Sequence, residues 1–413
     1  MQVMHACCAG MDVHKDSVFV CVRRMSDDGK MSEEIRMFGT KTGQLLGLGD
    51  WLVSQGVSHA AMESTGVYWK PIWNLLENRV KLILVNAQHI KQVPGRKTDV
   101  KDCQWIAQLL QLGLLKASFV PDRPQRELRD LTRQRSQLVA DHSRVANRIQ
   151  KTLEDANIKL ASVATDVLGV SGRQMLQALI QGNRSALHMA ELARGRMRSK
   201  VPQLAEALDG RVNEHHRFML KMLMEQIESL EKQIEAFNQR IEQVMGPFEK
   251  AAVAMLDGMP GVNQRAAQNI IAEIGTDMSR FASAEHLASW AGICPGNNQS
   301  AGKRKSGRIT RGNRWLKSTL VQCAWSAARK KDSFWMGRYQ RISHRRGARR
   351  AAVAVAHSQL TVIYEMLKTG EQYRELGGQS LKQNDQQRLK DALVARLERI
   401  GYQVTLAPKT DAA

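Results

Sequence analysis

Residues 9–22, with the sequence AGMDVHKDSVFVCV, contain two short runs of small and β-branched residues on either side of a polar segment. The runs at 9–13 and 17–22 predict two β-strands, and His14-Lys15-Asp16 predicts the turn that joins them. Similar patterns predict strands at 35–38, 59–62 and 82–85, and helices near 42–54 and 67–78. Three successive strands followed by alternating helices and strands predict an α/β domain, with a mixed sheet flanked by helices.

From Pro124 onward the sequence predicts long helices. Residues 126–160 carry apolar side chains at a seven-residue spacing, which Arg135 and His142 interrupt. Residues 214–245 carry an unbroken a/d heptad pattern, made of Leu220, Leu223, Ile227, Leu230, Ile234, Phe237, Ile241 and Val244. Such a seam requires a partner helix, which is either the first long helix or the same helix in a second subunit.

These changes of pattern predict four domains. We expect an α/β domain over residues 1–123 and a long-helix, coiled-coil domain over 124–248. A basic, all-α domain over 249–370 is followed by a C-terminal helix, near 386–400, and a polar tail within 371–413. The region 161–213 is predicted to be helical, with no chemistry that its residues suggest.

Several classes of protein are not expected. The N-terminal residues lack a basic region followed by an apolar core, so no secretory signal is predicted. No membrane span is predicted, because the sequence contains no run of about 18 apolar residues. The 6 cysteines form no C-x-x-C pair, so neither a zinc site nor a disulfide scaffold is expected. We therefore expect a cytoplasmic protein.

The net charge of +21 is concentrated in one part of the chain. Residues 301–350 contain sixteen Lys or Arg residues and one acidic residue, Asp332. Trp315, Trp325 and Trp335 in the same window favour a folded segment over a disordered basic tail. A concentrated positive charge on a folded segment indicates a polyanionic partner, and nucleic acid is the leading candidate.

Four carboxylates are candidates for a metal site. Asp12 and Glu63 end predicted strands, and Asp99 and Asp102 open a predicted helix at 99–110, where their i, i+3 spacing places both on one face. Carboxylate oxygens are the ligands that Mg²⁺ prefers, and a paired site can stabilise the attacking and leaving oxygens of a phosphodiester. The basic loop at 91–97 could hold a phosphate backbone nearby. Structural roles are equally open for each acid alone: a helix dipole, a turn cap or a salt bridge.

Two further motifs lie in the basic region. Residues 256–275 predict a helix, a tight Pro-Gly-Val turn and a second helix, which is typical of a helix-hairpin-helix that binds phosphate through backbone N–H groups near Gly261. Ser300 lies in a loop rich in Gly, Asn and Pro that leads into a Lys/Arg cluster, where a nucleophile could attack phosphorus. A loop serine is more often structural. The cations assigned to phosphate contacts are Lys303, Arg304, Lys305, Arg308, Arg311 and Arg314.

Five segments resemble the DEDD transposases of bacterial insertion sequences (the insertion-sequence one-ten type): GMDVHKD at 10–16, AMESTGVYW at 61–69, KTDVKD at 97–102, RGRMRSK at 194–200 and RGNRWL at 311–316. The resemblance implies a RuvC-like domain of the RNase H fold. It also implies that Asp12, Glu63, Asp99 and Asp102 bind Mg²⁺ or Mn²⁺. Cys103 departs from the family, in which Ala is common at this position.

The resemblance also assigns a nucleophile and partners. Ser300 matches the serine of the family's P-x(3–4)-S-x-G loop, with Ser306 a weaker candidate, and Asn313 is either part of the site or a helix cap. A composite of carboxylates and serine would cleave DNA through a covalent phosphoserine intermediate and then exchange strands. The implied partners are donor and target DNA, a structured guide RNA from the same element, and further copies of the chain in a dimer or tetramer, assembled through the heptad helix.

Two other functions remain open at this point. A junction-resolving nuclease would use the same carboxylates, with water as the nucleophile. A non-enzymatic nucleic-acid-binding protein would need only the hairpin, the basic region and the long helices. Replacing Ser300 separates the first alternative from the transposase, and replacing Asp12 and Glu63 separates the second.

Overall fold

The structure, a computed structural model, describes residues 3–405 apart from 27, 65, 87–98, 183–184, 296–297, 301–302, 307, 379–389 and 392. For residues 99–101, 298–300 and 303–306 it describes the backbone alone. The chain divides into two compact units, Met1–Arg123 and Pro124–Ala413. None of the helices in these described ranges is both long enough and apolar enough to cross a bilayer.

The described part of the first unit contains three helices and a five-stranded sheet with the strand order β3-β2-β1-β4-β5. Strands β1 to β3 are antiparallel, whereas β4 runs parallel to both β1 and β5. This mixed α/β architecture confirms the predicted sheet and is compatible with an RNase H-like domain. The elements are β1 (Cys7–Val13), β2 (Ser17–Met25), β3 (Met31–Gly39), α1 (Thr42–Ser54), β4 (His59–Glu63), α2 (Trp69–Leu76), β5 (Lys81–Val85) and α3 (Asp99–Gln111).

The two faces of β1 have different partners, because successive side chains of a strand point to opposite faces. Ala9, Met11 and Val13 are buried in the larger core, together with apolar side chains of α1 and α2. Cys8 lies on the opposite face, in a smaller cluster with Ile106 of α3. The second face therefore belongs to α3.

Gly10 lets α3 lie directly on the sheet. A Cβ at this position would be 2.2 Å from the carbonyl oxygen of Cys103 and 2.3 Å from the backbone nitrogen of Ala107. The Cys8 thiol donates a hydrogen bond to the Ala107 carbonyl oxygen at 3.6 Å, which holds the same contact. Any side chain at Gly10 would push the helix away from the strand.

The second unit is almost entirely helical in its described residues. Its helices are α4 (Arg123–Asp155), α5 (Leu160–Val163), α6 (Val170–Ile180), α7 (Ala186–Glu191), α8 (Val201–Leu208), α9 (Glu214–Val244), α10 (Pro247–Asp257), α11 (Gln264–Ile274), α12 (Ala284–Ala291), α13 (Arg314–Ala327), α14 (Phe334–Arg346) and α15 (Ala348–Thr369). Two short 3₁₀ helices cover Gly195–Lys200 and Met278–Arg280, and the strands β6 (Asn298–Ser300) and β7 (Lys303–Ser306) form a hairpin. Near the C-terminus, residues 393–399 are also helical.

The heptad seam of α9 finds its partner within the chain. Leu220, Leu223, Ile227 and Leu230 share one buried cluster with apolar side chains of α4, such as Ile149. The helices between 160 and 208 add their apolar side chains to the same cluster, which explains a region whose residues suggested no chemistry. Of the two partners that the heptad pattern left open, the first long helix is therefore confirmed for the first half of the seam, and assembly through the rest of the heptad helix stays a prediction.

The two helices of the predicted helix-hairpin-helix correspond to α10 and α11. Gly261 in its turn has φ +87°, and a Cβ there would lie 2.3 Å from the Cys323 carbonyl oxygen of α13. Gln359, fully buried in α15, donates a hydrogen bond to the Pro260 carbonyl oxygen at 3.2 Å. Asn263 caps α11 by accepting from the backbone nitrogen of Ala266. The turn is therefore fixed by packing against two other helices.

Gly10→Ala tests the seating of α3 on the sheet. We expect the variant to lose about 3 kcal/mol of unfolding free energy, because a methyl group facing backbone atoms cannot be accommodated by a rotamer change. Gly47→Ala in α1 is the matched control, since nothing lies within 4 Å of a Cβ there, and it should stabilise the helix by up to about 1 kcal/mol. Equal denaturant midpoints for the two variants would contradict the close contact.

Candidate active site

Asp12 and Glu63 lie side by side at one end of the sheet. Gly10 pairs with Ala61 and Met11 with Met62 in the parallel ladder of β1 and β4. Continuing that register by one residue places Asp12 opposite Glu63, and the two-residue periodicity puts both on the face that α3 covers. The carboxyl ends of two parallel strands therefore present two acids to the same helix.

The N-terminal turn of α3 lies near the same end of the sheet. Ala107 contacts Cys8 and Gly10, while Cys103 contacts Gly10, so the helix runs opposite to β1. Burial is the largest cause that raises the pKa of the Cys103 thiol to about 11, and the charges of Asp12 and Asp102 contribute to the same shift. Asp102, next to Cys103 in the first turn of α3, lies toward the end of the sheet that carries the strand carboxylates. Asp99 is the first residue of α3, and its side chain lies outside the described residues, as does the basic loop at 91–97.

His14 is a functional candidate that the sequence patterns did not indicate. Its Nε2 lies 3.0 Å from Oδ2 of Asp12, whose side chain is 14% exposed. The imidazole also packs edge-on against the ring of Phe19, at a centroid distance of 6.2 Å. A signal was present in the spacing of D-V-H, because residues two apart at the end of a strand share a face. His14 can therefore orient the Asp12 carboxylate.

The carboxylate oxygens of Asp12, Glu63 and Asp102 are chemically suited to Mg²⁺ or Mn²⁺, which prefer hard oxygen ligands. Within the part of the chain that the structure describes, no three acidic, thiol or imidazole groups meet closely enough to hold an ion. The side chain of Asp99 is not among the described ones. Metal binding by the four acids therefore stays a prediction.

Ser300 lies in a strand, which differs from the loop that its Gly, Asn and Pro neighbours predicted. It is the last residue of β6 and pairs with Lys303 of β7, while Ser306 pairs with Asn298 at the other end of the hairpin. A short ladder overrides the local turn preference because it satisfies backbone groups on both strands. The side chains of β6 and β7, including those of Lys303, Arg304 and Lys305, lie outside the described residues.

The base of this hairpin is held by backbone contacts. Gly292 has φ +72° and ends α12, and a Cβ on it would lie 2.7 Å from the backbone nitrogen of Gly312. The backbone nitrogen of Thr310 donates to the Cys294 carbonyl oxygen at 3.3 Å, and that of Asn313 donates to the Trp290 carbonyl oxygen at 3.2 Å. The segments that enter and leave the hairpin are therefore in direct main-chain contact.

Asn313 connects the hairpin to a buried charge cluster. Its side chain caps α13 by accepting from the backbone nitrogens of Trp315 and Leu316, and it donates to Oε2 of Glu273 at 2.6 Å. The Glu273 carboxylate, 2% exposed, also accepts two hydrogen bonds from Arg133, at 2.7 and 2.8 Å. Asn313 is therefore both a helix cap and part of a network that ties α4, α11 and α13 together.

Three predicted phosphate-binding cations are exposed in the described region: Arg308, Arg311 and Arg314. The guanidinium of Arg314 lies over the ring of Trp315, 4.8 Å from its centroid. Gly261 has a structural explanation in its close packing against α13, and its phosphate contact stays a prediction.

Two family models match the chain. A DEDD transposase model of the IS110 type matches residues 9–158, and a model described as the transposase IS116/IS110/IS902 family matches residues 253–340. Together they span more than half of the chain, and they include all four candidate carboxylates and Ser300. The chain belongs to the IS110 family of transposases. It is a DNA transposase, with residues 159–252 lying between the two matched regions.

Proteins similar to this transposase come from several bacteria. An uncharacterized 42 kDa protein of insertion element IS900 from Mycobacterium paratuberculosis is 28% identical over 323 residues, which are 70% of this chain and 79% of the relative. The transposase for insertion sequence element IS1111A from Coxiella burnetii is 22% identical, over 70% of this chain and 72% of its own. An uncharacterized 43.6 kDa protein of insertion element IS110 from Streptomyces coelicolor is 26% identical, over 68% and 73%.

Glu273→Gln tests the charge cluster of this transposase. We expect a loss of about 3–5 kcal/mol in unfolding free energy, because the buried guanidinium of Arg129 and the partly buried one of Arg133 would face a neutral amide. Glu235→Gln on the exposed surface of α9 is the control and should change stability by less than about 0.5 kcal/mol. Indistinguishable unfolding curves for the two variants would show that the cluster does not stabilise the second unit.

Proposed function

We propose that this transposase cuts and rejoins the DNA of its own insertion sequence by using the four candidate carboxylates together with Ser300. The observation that carries the proposal is the register of β1 and β4, which puts Asp12 and Glu63 at adjacent strand ends on the face that α3 covers. Two neighbouring carboxylates supply the hard oxygen ligands that Mg²⁺ prefers, so their adjacency favours a role in binding metal.

A divalent ion bound by Asp12, Glu63, Asp99 and Asp102 would supply Lewis-acid activation of a phosphodiester. The chain's own contribution is to hold the carboxylates in place. Asp12 and Glu63 are fixed by the ladder of β1 and β4, whereas Asp99 and Asp102 depend on the seating of α3 over Gly10. His14 restrains the orientation of the Asp12 side chain through the 3.0 Å contact.

Ser300 is the proposed nucleophile. Its hydroxyl oxygen would form a bond to phosphorus while the ester bond to one DNA strand breaks, and the released sugar hydroxyl would take up a proton. The covalent phosphoserine conserves the energy of the phosphodiester, so attack by a hydroxyl of another strand can rejoin DNA and release the serine. The neighbouring cations of β7 and of residues 308–314 would stabilise negative charge on the phosphoryl oxygens.

The proposed partners follow from charge and from the family. The sixteen basic residues between 301 and 350 favour contacts to the phosphates of donor and target DNA. A guide RNA from the same element would provide sequence specificity, as the family resemblance implies. Assembly into a dimer or tetramer would have to use surfaces other than the first half of the α9 seam, which is covered within the chain.

A junction-resolving nuclease is the second candidate. The carboxylates favour it because all four belong to the first unit, whereas Ser300 belongs to the second. In that reaction water replaces the serine hydroxyl, and no protein–DNA bond forms. Strand cleavage that survives the loss of Ser300 would support this candidate.

Asp12→Asn and Glu63→Gln test the carboxylates. We expect each to reduce strand cleavage at least about a hundredfold, because an amide lacks the charge that holds a divalent cation. Chelation of divalent ions should have the same effect on the unmodified protein, and added Mg²⁺ should reverse it. Asp16→Asn, at an exposed position in the adjacent turn, is the matched control. Unchanged cleavage in both variants, measured on labelled DNA, would contradict the proposed site.

Ser300→Ala tests the nucleophile. With DNA substrate, the unmodified protein should form a covalent species that survives denaturing electrophoresis, and this species should disappear in Ser300→Ala. Ser306→Ala removes a hydroxyl from the other strand of the same hairpin and should retain the species, because we assign attack to Ser300. A covalent species that persists in Ser300→Ala and is lost in Ser306→Ala would move the nucleophile to the second serine.

A further inference from the structure

A cleft of about 630 Å³ lies within the second unit, between α4, α11 and α13. It is separate in sequence from the candidate carboxylates and from Ser300. Its walls combine apolar groups, such as Val139 and Trp315, with side chains that can bind an anion: Arg135, Ser136, Arg265, Ser318, Thr319 and Gln322.

The charge balance of the cleft is positive. Three of its lining residues are arginines, and Glu273 is the carboxylate among them. Glu273 already accepts hydrogen bonds from Arg133 and Asn313, and its side chain is almost completely buried. The charges of Arg135 and Arg265 therefore face the cleft without compensation from that acid.

Arg135 is an unusual buried cation. It is 2% exposed, and its guanidinium donates to neutral oxygens: the side-chain oxygens of Asn238, Gln268 and Asn269 and the carbonyl oxygen of Arg265. In the described part of the chain, no carboxylate accepts a hydrogen bond from it. Glu242 accepts a hydrogen bond from the Gln268 amide at 2.5 Å, and its charge raises the pKa of Arg135, so it offsets part of the cost of burying that guanidinium. Burial remains costly for a charge whose direct hydrogen-bond partners are neutral, so an anion near the cleft would be favoured.

A second cation, Arg265, adds to the positive charge around Arg135. Burial, followed by the charge of Arg265, lowers the pKa of Arg135 to about 10, while the charge of Glu242 raises it. The backbone oxygen of Arg265 accepts a hydrogen bond from Arg135 at 3.3 Å, so the two residues are in contact. Arg265 is itself exposed, in the first turn of α11. The positive end of the α11 dipole points in the same direction as these two charges. Like charges held together in a stable fold indicate a ligand that brings negative charge.

We propose that this cleft binds backbone phosphates of a nucleic-acid strand. The hydroxyl groups of Ser136, Ser318 and Thr319 and the amide of Gln322 are suited to phosphate oxygens and sugars, and such contacts position a strand without reading its bases. A cleft of this volume accommodates a short stretch of backbone. The inference rests on the chain acting on nucleic acid, and it is independent of the proposed metal and serine.

Arg265→Gln is the direct test, because it removes one charge from an exposed side chain whose structural contact to Arg135 is made by its backbone oxygen. Fluorescence anisotropy would measure binding of duplex DNA, single-stranded DNA and single-stranded RNA of equal length, over a series of salt concentrations. We expect weaker binding and a salt dependence (log K against log salt) that is shallower by about 0.9 for the duplex or about 0.7 for a single strand, corresponding to one lost phosphate contact. Arg265→Lys keeps the charge and should retain the slope.

Matched controls separate the cleft from the general positive charge of the chain. Arg148→Gln removes the same charge from an exposed site on α4 outside the cleft and should leave the slope unchanged. Ser318→Glu places a negative charge on the cleft wall and should weaken binding, whereas Ser326→Glu, exposed on the same helix α13 outside the lining, should not. The nucleic acid whose slope changes identifies the strand in the cleft as DNA or RNA.

Thermal unfolding provides a second readout. Without nucleic acid, Arg265→Gln should unfold at the same or a higher temperature than the unmodified protein, since the repulsion with Arg135 is relieved. Weaker binding combined with unchanged or greater stability would support a binding role. The proposal is overturned if Arg265→Gln and Ser318→Glu match their controls with all three probes, or if Arg265→Gln lowers the unfolding temperature. Asp12→Asn should bind normally even if it cannot cleave, so a failure of catalysis and a failure of this cleft give different results.

Discussion

The missing side chain at Gly10 is the constraint on which the first unit depends. Because nothing projects from this position, the backbone of α3 touches β1 directly, and the helix can begin beside the ends of β1 and β4. The same strand uses its other face for the main core through Ala9 and Met11. One residue therefore links packing to chemistry: the contact that closes the smaller core also sets the first turn of α3 beside the strand ends that carry Asp12 and Glu63.

In the second unit, a carboxylate has the corresponding role. Glu273 joins three helices by holding Arg133 from α4 and Asn313 from the start of α13. Arg129 adds hydrogen bonds to the carbonyl oxygens of Ala272 and Glu273 and lies 5.7 Å from the Trp290 ring centroid. A charge cluster, in place of apolar packing, therefore holds these helices together beside the cleft.

Local patterns predicted the secondary-structure elements well, but they could not predict contacts between segments that are distant in sequence. The strands and long helices followed from periodicity, which depends on neighbouring residues. The pairing of α4 with α9 was left open because a heptad seam specifies a partner's chemistry without its identity. Arg135 appeared only as an interruption of the α4 pattern, yet it is buried against Gln268, 133 residues away in sequence. The strand containing Ser300 was missed because its ladder depends on pairing, which outweighs the turn preference of its residues.

The contact between Gly292 and Gly312 has a consequence for how the hairpin can vary. Two backbones in direct contact leave no room for any side chain at either glycine, whereas the hairpin beyond them is attached through main-chain hydrogen bonds that most residues can make. For folding, a saturation-mutagenesis map of this region should therefore show two intolerant positions that frame a permissive segment. For transposition, Ser300 and the neighbouring cations would add intolerant positions within that frame, so the two maps should differ there.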